Sequence, residues 1–171
     1  DSQVVYPVYF KHLGMSDGLS QVSVMSIYQD CLGRMWFGTR EGVSIYDGER
    51  MRVYKGWENL DPESSINVLL GHECDHLTGN RQGDIFFRTC DSLVRYDIRE
   101  EKFCVVSGCK AKTITSADGD IWTGYDDMVC RYDEKGDSLQ LYAKTNTPSI
   151  SSLLISGKKI WIGTYEGLYV I

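Results

Sequence analysis

The apolar positions of this chain fall into short clusters at strand spacing, and the clusters group in fours. In the clearest group, residues 22–54, runs at 24–29, 34–39, 43–46 and 50–54 predict four strands. Turn chemistry separates them. Residues 30–33 and Asp118-Gly119 read as turns between a first and a second strand, and Asp47-Gly48 offers the two positive-φ positions of a tight hairpin. Met35, Trp36 and Phe37 are apolar without polar alternation, the pattern of a strand covered on both faces.

The second-strand phrase of this unit returns three times. Gly33-Arg34-Met35-Trp36-Phe37-Gly38-Thr39, followed by Tyr46-Asp47, is echoed by Gly83 to Thr89 with Tyr96-Asp97. Further echoes are Gly119 to Gly124 with Tyr132-Asp133, and Lys159 to Thr164 with Gly167-Leu168. The aromatic recurs at 36, 86, 122 and 161, intervals of 50, 36 and 39. A period near 40 with one aromatic, one glycine and one hairpin signal per unit is the signature of propeller blades, whose sheets cannot bury both faces alone.

The expected fold is therefore all-β: one partial β-propeller domain, 1–171, of about four four-stranded antiparallel blades at 22–54, 65–105, 112–142 and 150–171. The last blade stops short of its fourth strand, and 4–13 forms a lead-in strand. Trp36, Phe86, Trp122 and Trp161 are expected in equivalent buried positions, with Gly38, Gly124 and Gly163 where an adjacent blade approaches the backbone. The stretch before Phe86 is harder to place. Asp61 would cap a helical turn beginning at Pro62, and the blade's first strand falls at either 68–72 or 74–78.

These motifs resemble the two-component regulator propeller repeat. The unit 22–54 carries Asp30, Gly33, Trp36, Gly38, Thr39, Gly42, Tyr46, Asp47 and Gly48 of its pattern, and the last unit keeps Trp161, Gly163, Thr164, Gly167 and Leu168. Phe10-Lys11-His12-Leu13 and Asp17-Gly18-Leu19-Ser20 resemble the segment that introduces the first repeat, so the likeness covers about 150 residues. Units two and three depart from the pattern at Phe86, Arg88 and Tyr125. The resemblance implies the N-terminal sensor region of a Bacteroides-type hybrid two-component sensor histidine kinase. That region is periplasmic and responds to breakdown products of complex glycans, while the kinase lies elsewhere in the polypeptide.

Composition narrows the functional classes. A net charge of −6 disfavours a phosphate-binding surface and hence nucleic acid partners. No apolar run approaches the ~20 residues of a membrane span, so no membrane contact is expected of this segment. Asp1-Ser2-Gln3 has no basic and apolar leader, which fits either a cytosolic chain or one whose signal peptide has been removed. Cys31, Cys74, Cys90, Cys104, Cys109 and Cys130 show no C-x-x-C spacing; isolated thiols are expected, with Cys104 and Cys109 the pair to consider for a disulfide.

His72-Glu73-Cys74-Asp75-His76 matches the H-E-x-x-H pattern of zinc hydrolases, which needs a helix to set the histidines one turn apart. Its surroundings have strand periodicity, and on a strand Glu73 would point away from His72 and His76. Asp126 and Asp127 are adjacent and read as a solvated turn, not a glycosidase pair. Neither catalytic nor metal-ligating residues are assigned, and no cofactor is expected. A ligand would meet the loops joining second to third strands, bringing together Arg40, Glu41, Asp91, Tyr125, Asp126, Tyr165 and Glu166, with Trp57 from the long inter-blade loop. Arg40 with Tyr125 and Tyr165 would hold a charged or hydroxyl-rich sugar.

The resulting expectation is a non-enzymatic module that binds an oligosaccharide. The alternatives are a propeller used for protein association or dimerisation, and third a propeller lyase or glycosidase. The alternating segment 4–11 is expected to pair with 161–171 of its own chain or with a second copy, giving an oligomer.

Overall fold

The computed structural model describes residues 9–55, 71–108, 110–146 and 148–171. Four antiparallel sheets follow one another along the chain. The first holds β1 (Val24–Gln29), β2 (Met35–Thr39), β3 (Val43–Tyr46) and β4 (Met51–Tyr54), the second β5 (Asp75–Gly79), β6 (Ile85–Thr89), β7 (Ser92–Asp97) and β8 (Lys102–Val105). The third holds β9 (Thr113–Ala117), β10 (Asp120–Tyr125), β11 (Met128–Asp133) and β12 (Ser138–Lys144). The fourth has β13 (Ile150–Ser156), β14 (Lys159–Thr164) and β15 (Gly167–Val170) alone. In each sheet the strands pair in chain order, the up-and-down pattern of a propeller-like arrangement.

Register puts the repeated aromatics at one lattice position. Trp36 lies opposite Tyr28 and Ile45, Phe86 opposite Thr78 and Arg95, Trp122 opposite Thr115 and Arg131, and Trp161 opposite Leu154 and Val170. The core is three separate seams, one between each pair of successive sheets. Trp36, Val43 and Ile45 pack on Leu77, Phe87, Val94 and Tyr96; Phe86 and Leu93 on Ile114, Ile121 and Tyr132; Trp122 and Val129 on Ile150, Leu153 and Ile162. Each central sheet is thus covered on both faces, which is why its strands read as apolar runs. Arg95 adds a polar clasp across the second seam, with Asp84 at 3.1 Å in the β5–β6 turn of its own sheet and Asp137 at 3.0 Å in the β11–β12 turn of the next.

Trp161 departs from its expected burial. It is only half-buried, because among the described residues no further sheet packs on its side, and Leu154, Leu168 and Val170 beside it are exposed. The glycines divide the same way. A Cβ on Gly38 would strike the backbone carbonyl of Cys74 in the next sheet, and one on Gly124 would meet Ile150 Cγ2 at 2.6 Å. Gly163 instead faces Ser152 of its own sheet.

Asp118 and Gly119 both have positive φ, 51° and 80°, the primed geometry that suits strand twist. In the pair Asp47-Gly48 only Gly48 is left-handed, at 106°; Asp47 uses its carboxylate to accept the N–H groups of Glu49 and Arg50 at 2.9 and 2.7 Å. The side chain does there what backbone inversion was expected to do.

Of the expected lead-in strand 4–13, residues 9–13 are described and form no strand, Tyr9 and Phe10 being about nine-tenths exposed. Among the described residues no strand pairs with them. The chain docks later, where Ser20 gives its N–H to Ser44 Oγ at 3.0 Å and Leu19 is buried. The second sheet begins at β5, settling its first strand near the later of the two expected positions; its expected start at 65 and the turn at Asp61 and Pro62 lie outside the described residues.

Candidate ligand-binding site

Antiparallel order places the β2–β3, β6–β7, β10–β11 and β14–β15 turns, together with the segments that link successive sheets, at one end of the strands. Two of these turns anchor the sheet that follows. The carbonyl of Asp91 accepts the N–H of Ala111 at 2.8 Å, and that of Asp126 accepts the N–H of Ile150 at 2.9 Å. Asp91 and Asp126 hold φ of 59° and 51°, a region aspartate tolerates better than bulkier residues. Where these anchors converge, Asp91, Lys112, Tyr125, Asp126 and Ser149 line a cavity of about 450 Å³.

Its charge pattern is mixed. Asp91 lies 3.7 Å from Arg88 Nη1, and Arg88 is itself held by Asp75 through Nε at 2.8 Å and through Nη2. Hydrogen bonding to Asp75 and the surrounding carboxylates hold the Arg88 guanidinium above its usual range despite burial. For Asp75, burial pushes its carboxyl up, but His76 and Arg88 outweigh it and hold the pKa down. Arg88, which stands where the other repeats carry glycine, thus braces the Asp91 turn. Lys112 and Asp126 form no ion pair among the described residues. Lys112 Nζ sits 5.1 Å from the Tyr165 ring centroid, and Lys110 Nζ 5.4 Å from that of Tyr125. Each tyrosine carries a cation over its face.

Of the residues expected from sequence, Asp91, Tyr125 and Asp126 line this cavity and Tyr165 reaches it through Lys112. Arg40 and Glu41 do not line it; they sit on the β2–β3 turn, with Arg40 donating its N–H to Ser23 O at 3.3 Å. Glu166 shares the turn of Tyr165. Those two turns are built alike: Thr39 Oγ1 and Thr164 Oγ1 each donate to the glycine carbonyl three residues on, at 3.1 Å, and accept the glutamate N–H, at 3.1 and 3.2 Å. Trp57 lies outside the described residues. Lys110, Lys112 and Ser149 were not expected. Their signal was positional, since they occupy the inter-sheet links whose end of the strands was anticipated.

The H-E-x-x-H segment is no helix. His72 lies in a bend, Cys74 is buried, β5 starts at Asp75, and His76 has φ 53° with Nδ1 2.8 Å from Asp75 Oδ1. Among the described residues no three His, Cys, Asp or Glu side chains are grouped to hold a metal ion. Cys31, Cys74, Cys90 and Cys104 are free thiols, Cys130 is buried, and Cys109 lies outside the described residues. What lines the cavity is an ammonium, two carboxylates, a hydroxyl and a phenol ring, a means of holding a polar ligand.

Comparison with known proteins agrees with this architecture. A histidine kinase, P4 of Formosa agariphila, is 41% identical over 59 residues, 34% of this chain and 4% of the kinase. The extracellular domain described for the hybrid two-component system BT3049 of B. thetaiotaomicron superposes with a TM-score of 0.77 at 25% identity, covering 94% of this chain and 25% of that one. The corresponding domain of BT4673 from the same organism matches in fold, with TM-score 0.71, 18% identity, and 94% and 22% coverage. Virginiamycin B lyase of Staphylococcus aureus shares the fold more distantly, at TM-score 0.56, 18% identity, and 90% and 57% coverage. The chain therefore spans about a quarter of the two-component domains it resembles. No family model matches it. The chain is similar to the extracellular domain of the BT3049 hybrid two-component system, and no helix among the described residues is long and apolar enough to cross a membrane.

Proposed function

We propose that this chain is the ligand-sensing part of the extracytoplasmic region of a hybrid two-component sensor, lies in the periplasm, and binds glycan breakdown products. The single observation that carries the reading is the superposition, over nearly the whole chain, on the BT3049 extracellular domain. The cavity of Asp91, Lys112, Tyr125, Asp126 and Ser149 supports it with the right chemistry, because hydroxyls pair with carboxylate and ammonium groups while the flanking tyrosines offer aromatic faces. Binding would move a distant kinase only through a difference in affinity between two arrangements of the sensor region. Calorimetry with a panel of oligosaccharides tests this. Saturable binding that Lys112→Ala and Asp126→Asn weaken supports it; binding indifferent to both places the ligand elsewhere.

A second reading, association with another protein surface, is favoured by one feature: Leu154, Leu168 and Val170 leave an apolar face on the fourth sheet next to the edge of β15, which among the described residues pairs with β14 alone. The expected pairing of 4–11 with that edge belongs to this reading, and residues 4–8 lie outside the described residues. Sedimentation over a concentration range tests self-association. The likeness to the lyase is one of fold, and product assays with the same oligosaccharides test for catalysis.

A further inference from the structure

A larger cavity, about 520 Å³, opens at the other end of the strands, where the β5–β6 and β9–β10 turns meet the outer part of the third sheet. Its walls are tied across two sheets. Arg81 gives its backbone N–H to Gly119 O at 3.1 Å and its guanidinium to the Asp118 carbonyl, while Gln82 Nε2 donates to Glu134 Oε2 at 2.8 Å. Gly119, at φ 80°, approaches Arg81 so closely that a Cβ would meet Arg81 Cβ at 2.8 Å. The turns that frame the cavity are thus set before any ligand arrives.

The other wall carries Tyr142, 58% exposed, standing edge-on to Trp122 at 4.8 Å between ring centroids. Arg131 lies with Cζ 5.6 Å from the Trp122 ring, and Asp120 holds its Nη2 at 2.7 Å. Gln140 stands beside them, its Nε2 on Ser138 Oγ at 2.9 Å. An exposed phenol ring beside a braced guanidinium and two amides suits a pyranose, whose C–H face packs on the ring while its hydroxyls pair with planar donors and acceptors. Three cationic and three acidic side chains line the space, so its lining charges balance and give no net attraction for a charged ligand.

We infer that this cavity is a second binding site, taking a neutral oligosaccharide with Tyr142 as the stacking platform and Arg131, Gln82 and Gln140 as hydroxyl partners. It is independent of the cavity at Lys112, which lies at the opposite end of the strands.

Titration of the 171-residue chain with neutral di- to tetrasaccharides of glucose, xylose, mannose and galactose tests the inference. At least one should bind saturably, with affinity about tenfold weaker in Tyr142→Ala and clearly reduced in Gln140→Ala. Circular dichroism of each variant separates lost binding from lost fold, and Gln140→Ala decides the matter if Tyr142→Ala does not fold. Absence of saturable binding across the panel, binding that both variants leave intact, or saturation by acidic oligosaccharides alone would overturn it.

Discussion

The indole Nε1 of Trp36 donates to the Asp30 carboxylate at 2.8 Å, tying the turn that starts the second strand to the aromatic in the middle of the first seam. Arg34 Nε holds the same oxygen at 2.7 Å, and the other carboxylate oxygen accepts the N–H groups of Leu32 and Arg34. Burial pushes the Asp30 carboxyl up, but the bonds from Trp36 and Arg34 outweigh it and hold the pKa below the usual carboxylate range.

A lowered folded-state value gives stability that is present above the unfolded pKa, about 3.9, and is lost as pH falls through the folded one. Asp30→Asn should therefore flatten the acid limb of the thermal midpoint below about pH 4. Asp30→Ala at neutral pH should cost about 3–5 kcal/mol, because the buried Arg34 cation loses its nearer carboxylate, at 2.7 Å, and keeps Glu101 at 3.7 Å. Urea melts of both variants across pH measure this, and an unchanged acid limb in Asp30→Asn would contradict the assignment.

Trp122 and Trp161 hold the same lattice position but unequal cover. Trp122→Ala should cost about 3–5 kcal/mol, and Trp161→Ala about 1–2 kcal/mol, since a half-buried ring loses less on truncation. Equal losses would mean that the face of the fourth sheet is covered in solution.

Gly38→Ala should destabilise by about 1–3 kcal/mol, because the added methyl meets a backbone carbonyl that cannot rotate away. Gly163→Ala meets the movable hydroxymethyl of Ser152 and should cost less than about 1 kcal/mol. Comparing denaturant midpoints of the two variants checks the order.

Burial pushes the Cys74 thiol up to about 12, whereas Cys31 and Cys90 are exposed. Brief treatment of the folded protein with iodoacetamide near pH 8 should label Cys31 and Cys90 and spare Cys74 until urea is added. Early labelling of Cys74, read by peptide mass spectrometry, would show that the first seam opens.

Chelator should leave the thermal midpoint unchanged, since His72 and His76 are not set one helical turn apart. About one zinc per chain lost on mutation of either histidine would reverse that conclusion.

The sequence by itself determined the repeat, the strand positions other than the lead-in strand and the first strand of the second sheet, and the end of the strands where turns gather. All three depend on local terms: period-2 patterning, turn residues and one aromatic per unit act within a dozen residues. Trp36, Phe86 and Trp122 could be placed in the core that way, as could the turn at Asp118-Gly119. What the tertiary structure alone decided depends on which sheet covers which. The incomplete burial of Trp161 follows from there being no further sheet beside it among the described residues, which its own residues do not encode, and the contact of Gly163 with Ser152 of its own sheet follows from the same lack. The candidate site divides likewise. Asp91, Tyr125 and Asp126 were visible as turn residues, but their meeting with Lys112 and Ser149, rather than with Arg40, required the packing of three successive sheets. So did the pairing of Arg81 with Gly119, residues far apart in the chain that approach only because one sheet turns its edge against the next.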